Sequence, residues 1–340
     1  MSNQDAARVD GGRAFRLSSD GRWAGERLLK AMREGRKISP KELRTNETLP
    51  RDAWIQFDTV AIREAMIRAP TFRELIAAGL TIPVANAMGK TMLQWDKVTD
   101  MEAAIVSLDG LARSDNDRVT FDQGNIPLPI THKDFNIGLR TLEASRSGGE
   151  PLDTLQVEIS GRKCGEQLEN MLINGGPTFG AATIYGLANH PNRNSGAFGT
   201  NGNWVQAAKT GENIFDDVNN AISVLKNTAL MPGPYWMLTP GLYGPVLDRD
   251  YKANGDRTTR ERLLQIEGLQ RIITSDKMPA NTVIIFQATR DVVAIANGEG
   301  VQTIQWDIYG GMAIAFKVFA IQVPVVRADA GNRSGVYVMS

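Results

Sequence analysis

The stretch from Asn125 to Gly176 limits the possible folds of this chain more than any other segment. It begins with NIPLPITHKDFNIGL, in which apolar residues alternate with two prolines and a threonine: Ile126, Pro127, Leu128, Pro129, Ile130, Thr131. Because proline cannot donate a hydrogen bond to a neighbouring strand, this pattern predicts a strand at a sheet edge or in a two-stranded arm. A polar bend follows, and then a long helix that Pro151 can begin and Gly175-Gly176 can end.

The helix has apolar residues near helical spacing, which predicts that it lies along a surface with one side buried: Leu152, Leu155, Ile159, Leu168, Met171, Leu172. Gly161 and Gly165 lie four residues apart within it. Each glycine costs a helix about 1 kcal/mol relative to alanine. The pair therefore predicts a slight bend or the close approach of another backbone, and the arm of a neighbouring subunit is one candidate.

The order of these segments resembles a known family. PLPITHKDFNIGLRTLEASRSGGEPLD, a helix, INGG and then IYGLANHPN follow one another here. This order is similar to that of the encapsulins and of their viral relatives, the major capsid proteins of tailed phages with the Hong Kong 97-type fold. The quotable part of the resemblance runs from Pro127 to Pro191, and the order of elements extends it to 54–338.

The resemblance implies an α+β fold of the Hong Kong 97 type with a central, or axial, α/β domain. The expected parts are an N-terminal arm (1–50), N-terminal helices (51–88), an extended two-stranded loop (89–132), a peripheral domain with the long spine helix (133–190), the axial domain (191–308) and C-terminal strands that return to the peripheral domain (309–340).

Four further expectations concern individual elements. Residues 51–79 read as two helices separated at Pro70. NTVIIFQAT and DVVAIA predict a pair of strands joined across Arg290-Asp291, and the apolar run from Gly311 to Arg327 predicts a long strand that returns to the domain holding the spine helix. GVYVMS predicts a final short strand.

Three groups of residues are candidates for contact between subunits. They are the tip of the extended loop (Arg113, Asp115, Asp117, Arg118, Asp122), the spine helix (Glu158, Arg162, Lys163, Glu166, with Glu169 offering a further charge) and the basic N-terminal arm (Trp23, Arg27, Lys30, Arg33). Mixed charges at the tip suit either a solvated turn or pairing with a neighbour's spine helix. The arm suits either a solvated tail or an inner-face contact with scaffold, DNA or another subunit.

Composition excludes several classes of protein. The chain has 340 residues, 38 basic and 38 acidic, so it lacks the global positive charge of a dedicated nucleic-acid binder. Cys164 is the only cysteine, which rules out an internal disulfide framework and fits a reducing cytoplasm. We see no signal peptide and no apolar run long enough for a membrane span.

The chemistry of an enzyme is missing from the sequence, so we predict no catalytic residue, no cofactor and no metal. Two histidines and one cysteine are too few for the usual zinc or iron sites. Gly89-Lys90-Thr91 ends like a phosphate-binding loop, but Val84 occupies the position of its first glycine. Cys164 in mid-helix and His190 before Pro191 are better explained as structural residues.

The sequence therefore predicts the major capsid protein of a tailed double-stranded DNA bacteriophage, which would assemble in the host bacterial cytoplasm and reside in the virion capsid. The expected partners are the chain itself, in pentamers and hexamers, scaffolding and portal proteins, cement or decoration proteins, and packaged DNA contacted without sequence specificity. The first alternative is an encapsulin compartment, against which we count the roughly fifty residues that precede Trp54. The more distant alternative is an α/β enzyme.

Overall fold

The structure is a computed structural model, and it describes residues 9–10, 13–14, 51–98, 106, 108, 121–141, 155–180, 182–252, 255, 257–329 and 331–340. The helices are α1 (Arg51–Arg68), α2 (Pro70–Ala77), α3 (Leu155–Asn174), α4 (Gly211–Asn227), α5 (Gly244–Leu247) and α6 (Thr259–Leu263). Three short 3-10 helices cover Ala87–Gly89, Gly241–Tyr243 and Tyr309–Gly311.

The strands are β1 (Val9–Asp10), β2 (Arg13–Ala14), β3 (Thr81–Pro83), β4 (Met92–Val98), β5 (Phe121–Pro127), β6 (Thr131–Gly138), β7 (Thr178–Phe179), β8 (Ala182–Thr183), β9 (Asn194–Gly196), β10 (Tyr235–Pro240), β11 (Leu269–Ser275), β12 (Val283–Gln287), β13 (Val293–Ile308), β14 (Ala313–Val326) and β15 (Val336–Met339).

Two larger sheets organise these strands. A four-stranded sheet has the order β3-β13-β14-β6, and a five-stranded sheet has the order β11-β10-β12-β15-β9. In the five-stranded sheet β10 runs parallel to β11 and antiparallel to β12, so the sheet is mixed. Three two-stranded sheets complete the described strands: β1-β2, β4-β5 and β7-β8.

Helices α1 and α3 lie against the four-stranded sheet, and aromatic rings fill the space between the layers. Phe316 of β14 meets Phe57 of α1 edge to face, with ring centroids 5.6 Å apart, and stacks on Phe135 of β6 at 5.0 Å. Cys164 of α3 also faces β14, where its sulfur lies 3.6 Å from the carbonyl oxygen of Val318. These contacts place β14, the long apolar strand, in the same packed layers as α3, the predicted spine helix.

The inner strands β10 and β12 of the five-stranded sheet are buried on both faces, which explains why they read as largely apolar runs rather than alternating ones. In β12, Ile284 and Phe286 join the core that contains α1 and α3. Val283 and Ile285 of the same strand join a second core, which is formed with α4, α5 and α6. Successive strand residues point to opposite faces, so one short strand supplies both cores.

The proline-rich segment forms two strands rather than one. β5 pairs with β4 in a two-stranded arm, whereas β6 pairs with β14 at the edge of the four-stranded sheet. The chain changes sheets between Pro127 and Thr131, around Pro129, where a proline cannot donate to a ladder. The expectation of an arm or edge position is confirmed for both halves.

Two expectations about strand partners were wrong. β12 and β13 do not pair across Arg290-Asp291: β12 pairs with β10 and β15, and β13 pairs with β14 and β3. The final strand β15 enters the five-stranded sheet, so only β14 of the C-terminal strands lies beside the spine helix. Pairing depends on residues far apart in the sequence, and local patterns do not encode it.

The ends of the helices follow local rules. Pro70 begins α2 directly after α1, as the sequence predicted. The spine helix ends at Asn174, and Gly175 then adopts a φ of 86°, a left-handed conformation that glycine accepts without strain. Its predicted beginning at Pro151 lies outside the described residues.

Candidate assembly surfaces

Helix α3 crosses α1 at a distance that requires glycine. Gly161 faces Ala61 and Gly165 faces Ala65, so small residues four apart on one helix meet small residues four apart on the other. A β-carbon added to Gly161 would lie 2.6 Å from the carbonyl oxygen of Ala61 and 2.9 Å from its α-carbon. The close approach expected at these glycines is present, and the backbone that approaches belongs to the same chain.

The side of α3 that faces away from its buried face carries partly exposed apolar side chains. Leu155 is 56 % exposed and Ile159 is 40 % exposed, although the apolar pattern had placed both on the buried side. The buried face instead runs through Val157, Cys164 and Leu168. The close packing of the two glycines against α1 sets this rotation of the helix.

The predicted interface charges of the spine helix lie next to these apolar residues and interact with one another. Lys163 Nζ donates to a carboxylate oxygen of Glu166 at 2.8 Å, and Arg162 Nε lies 4.0 Å from the other oxygen. The hydrogen bond from Lys163 holds the pKa of Glu166 below its usual value. Glu158 lies half-buried one turn before Arg162. These four residues form a mixed-charge surface, and whether another subunit contacts it stays a prediction.

Glu169 was grouped with these surface charges, and this was wrong. Its side chain is fully buried and accepts hydrogen bonds from the backbone amides of Thr71 and Phe72, at 3.2 and 3.1 Å, and from Ser275 Oγ at 2.8 Å. The two amides belong to the first turn of α2, where the helix dipole favours a negative charge. Glu169 thus ties the spine helix to α2 and to β11.

A second buried charge fixes the glycine- and asparagine-rich loop before α4. Lys209 Nζ lies 2.6 Å from Asp217 Oδ2, and neither side chain is more than 3 % exposed. The same carboxylate accepts from Trp204 Nε1 at 2.9 Å and from the amide of Gly199 at 3.0 Å. The ion pair joins the loop to α4, and local sequence patterns do not show how the loop folds back on that helix.

The extended loop is described at its base. β4 and β5 pair in antiparallel register from Met92 with Pro127 to Val98 with Phe121. Trp95 lies over Gly124, where a β-carbon would come within 2.5 Å of its ring. All five tip residues (Arg113, Asp115, Asp117, Arg118, Asp122) and all four arm residues (Trp23, Arg27, Lys30, Arg33) have side chains outside the described part of the structure.

The turn between β13 and β14 is an apolar projection that sequence reasoning missed. Tyr309 is 79 % exposed and Met312 is 67 % exposed, on either side of Gly310, whose φ is 67°. The sequence contains a signal for this turn, because two glycines between long runs of β-branched and aromatic residues are typical of a hairpin.

The groups considered for enzyme chemistry occupy structural positions. Burial raises the pKa of Cys164 to about 11, which keeps its thiol protonated. His190 is buried, and its Nδ1 accepts from the amide of Asn192 at 3.3 Å. Strand β4 rather than a helix follows Lys90 and Thr91, so this segment lacks the helix N-terminus of a phosphate-binding loop. Within the described residues there is no cluster of three or more potential metal ligands.

No helix among the described residues is both long and apolar enough to cross a membrane. The model of a family of unknown function, DUF6260, matches residues 44–339. The chain belongs to the DUF6260 family. No curated protein matches this DUF6260 member.

Solved structures define the fold of the DUF6260 chain. The virus-like particle from Pyrococcus furiosus is 16 % identical, with a TM-score of 0.56 over 84 % of this chain and 99 % of that one. The capsid of Myoviridae Phage XM1 is 10 % identical, with a TM-score of 0.58 over 77 % and 90 % of the two chains. A structure from Mycobacterium phage Bobi is 14 % identical, with a TM-score of 0.57 over 78 % and 89 %. The chain therefore has the Hong Kong 97-type capsid fold, as the sequence predicted.

Proposed function

We propose that this chain is the major capsid protein of a tailed double-stranded DNA bacteriophage, which assembles into pentamers and hexamers of an icosahedral shell around the genome. The observation that carries the proposal is the extent of the structural similarity. Chains from the capsid of Myoviridae Phage XM1, from Mycobacterium phage Bobi and from the capsid of an empty GTA particle match over 88–90 % of their own length, so the likeness extends through the whole fold rather than one motif.

The proposed organisation follows the same similarity. Residues 1–50 are an arm, 51–88 the N-terminal helices, 89–132 the extended loop, 133–190 the peripheral domain, 191–308 the axial domain and 309–340 the C-terminal strands. The axial domain surrounds the centre of each ring, and the extended loop overlaps the next subunit. The chain acts as a building block and not as an enzyme.

The proposed contacts between subunits use the exposed side of α3 and the loop tip. Leu155 and Ile159 supply apolar area, and Arg162, Lys163 and Glu166 supply charges of both signs beside it. Burial contributes about 25 cal/mol for each Å² of apolar surface removed from water. Each exposed ion pair adds less than about 1 kcal/mol. Because every subunit repeats these contacts with several neighbours, weak interfaces sum to a cooperative shell.

The proposed partners beyond the chain itself are scaffolding and portal proteins, cement or decoration proteins, and packaged DNA. The basic residues of the arm (Arg27, Lys30 and Arg33 among them) would contact DNA through phosphate charge alone, without reading its sequence. Assembly would take place in the host cytoplasm, and the mature location is the virion.

A second candidate is an encapsulin-like compartment that encloses protein. It is favoured by the match to the virus-like particle from Pyrococcus furiosus, which extends over 99 % of that chain. The contents of purified particles separate the two functions, because a phage shell encloses nucleic acid or is empty, and an encapsulin shell encloses a cargo protein.

Size-exclusion chromatography with light scattering on the chain expressed alone tests the proposal. The smallest closed icosahedral shell has about 60 copies, which at 37.2 kDa each gives a particle of about 2.2 MDa. The variant Ile159→Asp should reduce the fraction of chain in particles, whereas Ile159→Leu should leave it unchanged. A chain that stays monomeric or dimeric at high concentration, with candidate scaffolding proteins added, would contradict the proposal.

A further inference from the structure

A polar cleft lies between the paired strands β4 and β5 and the end of β14. Its volume is about 220 Å³, and strand β5, the end of β14 and the loop after β8 form its walls. The side chains that matter to the argument are Trp95, Asn125, Tyr185, His190, Asn192 and Arg327. Among the described residues that line it none is acidic, and Arg327 is the one that carries a formal charge.

Arg327 lies in this wall without a counter-charge. Its guanidinium lies 5.2 Å from the ring centroid of Trp95, and no described residue forms an ion pair or a side-chain hydrogen bond with it. Its Nε is buried without an acceptor, as is Nε1 of Trp95. Arg327 lines the cleft, so its side chain borders this space. Burial lowers the pKa of the guanidinium, and the charges of Asp291 and Arg290 act on it with opposite signs.

The other cations that lie over aromatic rings in the described residues all have a polar acceptor. Arg271 lies 5.1 Å from the ring centroid of Trp236 and pairs with Glu74. Lys317 lies over Trp306 and its Nζ is 3.5 Å from Asp134. Arg262 lies over Phe215 and donates to the side-chain oxygen of Gln265 at 2.8 Å.

Arg327 is the exception to this pattern among the described residues, because none of them forms an ion pair with it. Asp329 is two residues away but holds Arg333, whose Nε lies 2.7 Å from its carboxylate. A partly desolvated guanidinium gains most from a planar or tetrahedral oxyanion, since its parallel N–H groups match two oxygen atoms at once. The contact with the ring of Trp95 restricts the motion of the guanidinium, which reduces the entropy lost on binding.

We propose that this cleft is a binding site for a single oxyanion, a carboxylate or a phosphate group, held by the terminal amino groups of Arg327. Asn125 and Asn192 line the same space and carry amide groups that can donate to the remaining oxygen atoms. The anion comes either from solution or from an acidic side chain of a second copy of this chain. Only the second source depends on the proposed shell function.

Thermal unfolding of the unassembled full chain in sodium phosphate and in sodium chloride, at equal ionic strength and pH 7, tests the site. We expect phosphate at ten times its dissociation constant to raise the Tm of the wild type by about 2 °C relative to chloride. Arg327→Gln should lose this gain. Arg271→Gln is the matched control, because it removes a ring-stacked arginine that already has a carboxylate, and it should keep the full gain.

Arg327→Lys provides a second variant whose charge is retained, and it should show a smaller gain because an ammonium group cannot bind two oxygen atoms in parallel. Repeating the comparison on assembled particles separates the two sources. A gain that persists in particles indicates a free anion, and a gain that disappears there indicates that a neighbour's carboxylate fills the cleft. Equal gains in wild type and Arg327→Gln, or no gain in the unassembled wild type, would overturn the proposal.

Discussion

The crossing of α3 over α1 allows a quantitative prediction for Gly161→Ala. The new β-carbon would lie 2.6 Å from the carbonyl oxygen of Ala61, well inside the normal separation of about 3.5 Å for non-bonded carbon and its neighbours. Both close contacts are with backbone, so the two helices must move apart and the layer beneath them must loosen. The effect would spread beyond the substituted residue, since both helices pack on β14 or its neighbours.

Two opposing contributions decide how much Gly161→Ala changes the free energy of unfolding. Overpacking a dense interior costs about 1–3 kcal/mol. Alanine in place of glycine in a helix interior returns about 1 kcal/mol through helix propensity. The net loss in the free energy of unfolding is therefore about 1 kcal/mol for Gly161→Ala, and it should be larger for Gly165→Ala, whose added β-carbon would approach the backbone of Ala65 more closely.

The assay is urea unfolding of the dissociated chain, followed by circular dichroism. Gly244→Ala is the matched control, because Gly244 lies at the start of α5 with a φ of −51° and open space around the position of a β-carbon. This control should gain up to about 1 kcal/mol. If Gly161→Ala stabilises the chain as much as Gly244→Ala does, the close helix crossing is refuted.

Three further substitutions or reactions test the buried polar groups. Glu169→Gln should lower the free energy of unfolding in urea by about 3–5 kcal/mol, because the new amide group is a donor that faces groups which are themselves donors. A change below about 0.5 kcal/mol would contradict this. Asp217→Asn should lower the free energy of unfolding by about as much, because it leaves Lys209 buried without its counter-charge. The double variant with Lys209→Met should recover part of this loss, and the absence of any recovery would argue against the ion pair. At pH 8 the raised pKa of Cys164 should make its reaction with a thiol reagent at least about a hundredfold slower in the native chain than in urea, and equal rates would contradict its burial.

Local signals predicted much of the fold. Pro70 separated two helices, Gly175 ended the spine helix, and the prolines between Ile126 and Thr131 indicated an arm or edge position. Each of these residues acts through its own backbone conformation or its missing amide, so the effect does not depend on distant parts of the chain.

Long-range partners could not be predicted in the same way. β12 and β13 are adjacent in sequence but belong to different sheets, and β15 joins β12 from the far end of the chain. Glu169 looked like another surface charge of the spine helix, because its three donors come from residues about a hundred positions away.

The candidate surfaces show the same difference between what local sequence patterns predict and what depends on distant residues. The charges at Arg162, Lys163 and Glu166 follow from helical spacing, and the structure places them together. The exposed positions of Leu155 and Ile159 depend on how the helix rotates against α1, which the apolar pattern did not reveal. Arg327 became a candidate only once the fold brought the end of β14 to the root of the β4–β5 hairpin.

Negative-stain electron microscopy of the heaviest fraction of the chain expressed alone tests the central claim most directly. The account predicts closed icosahedral particles, or the rings and tubes that the same contacts form when closure fails. A field of single subunits, at a concentration where light scattering also reports only monomer or dimer, would contradict the claim that this fold serves to build a shell.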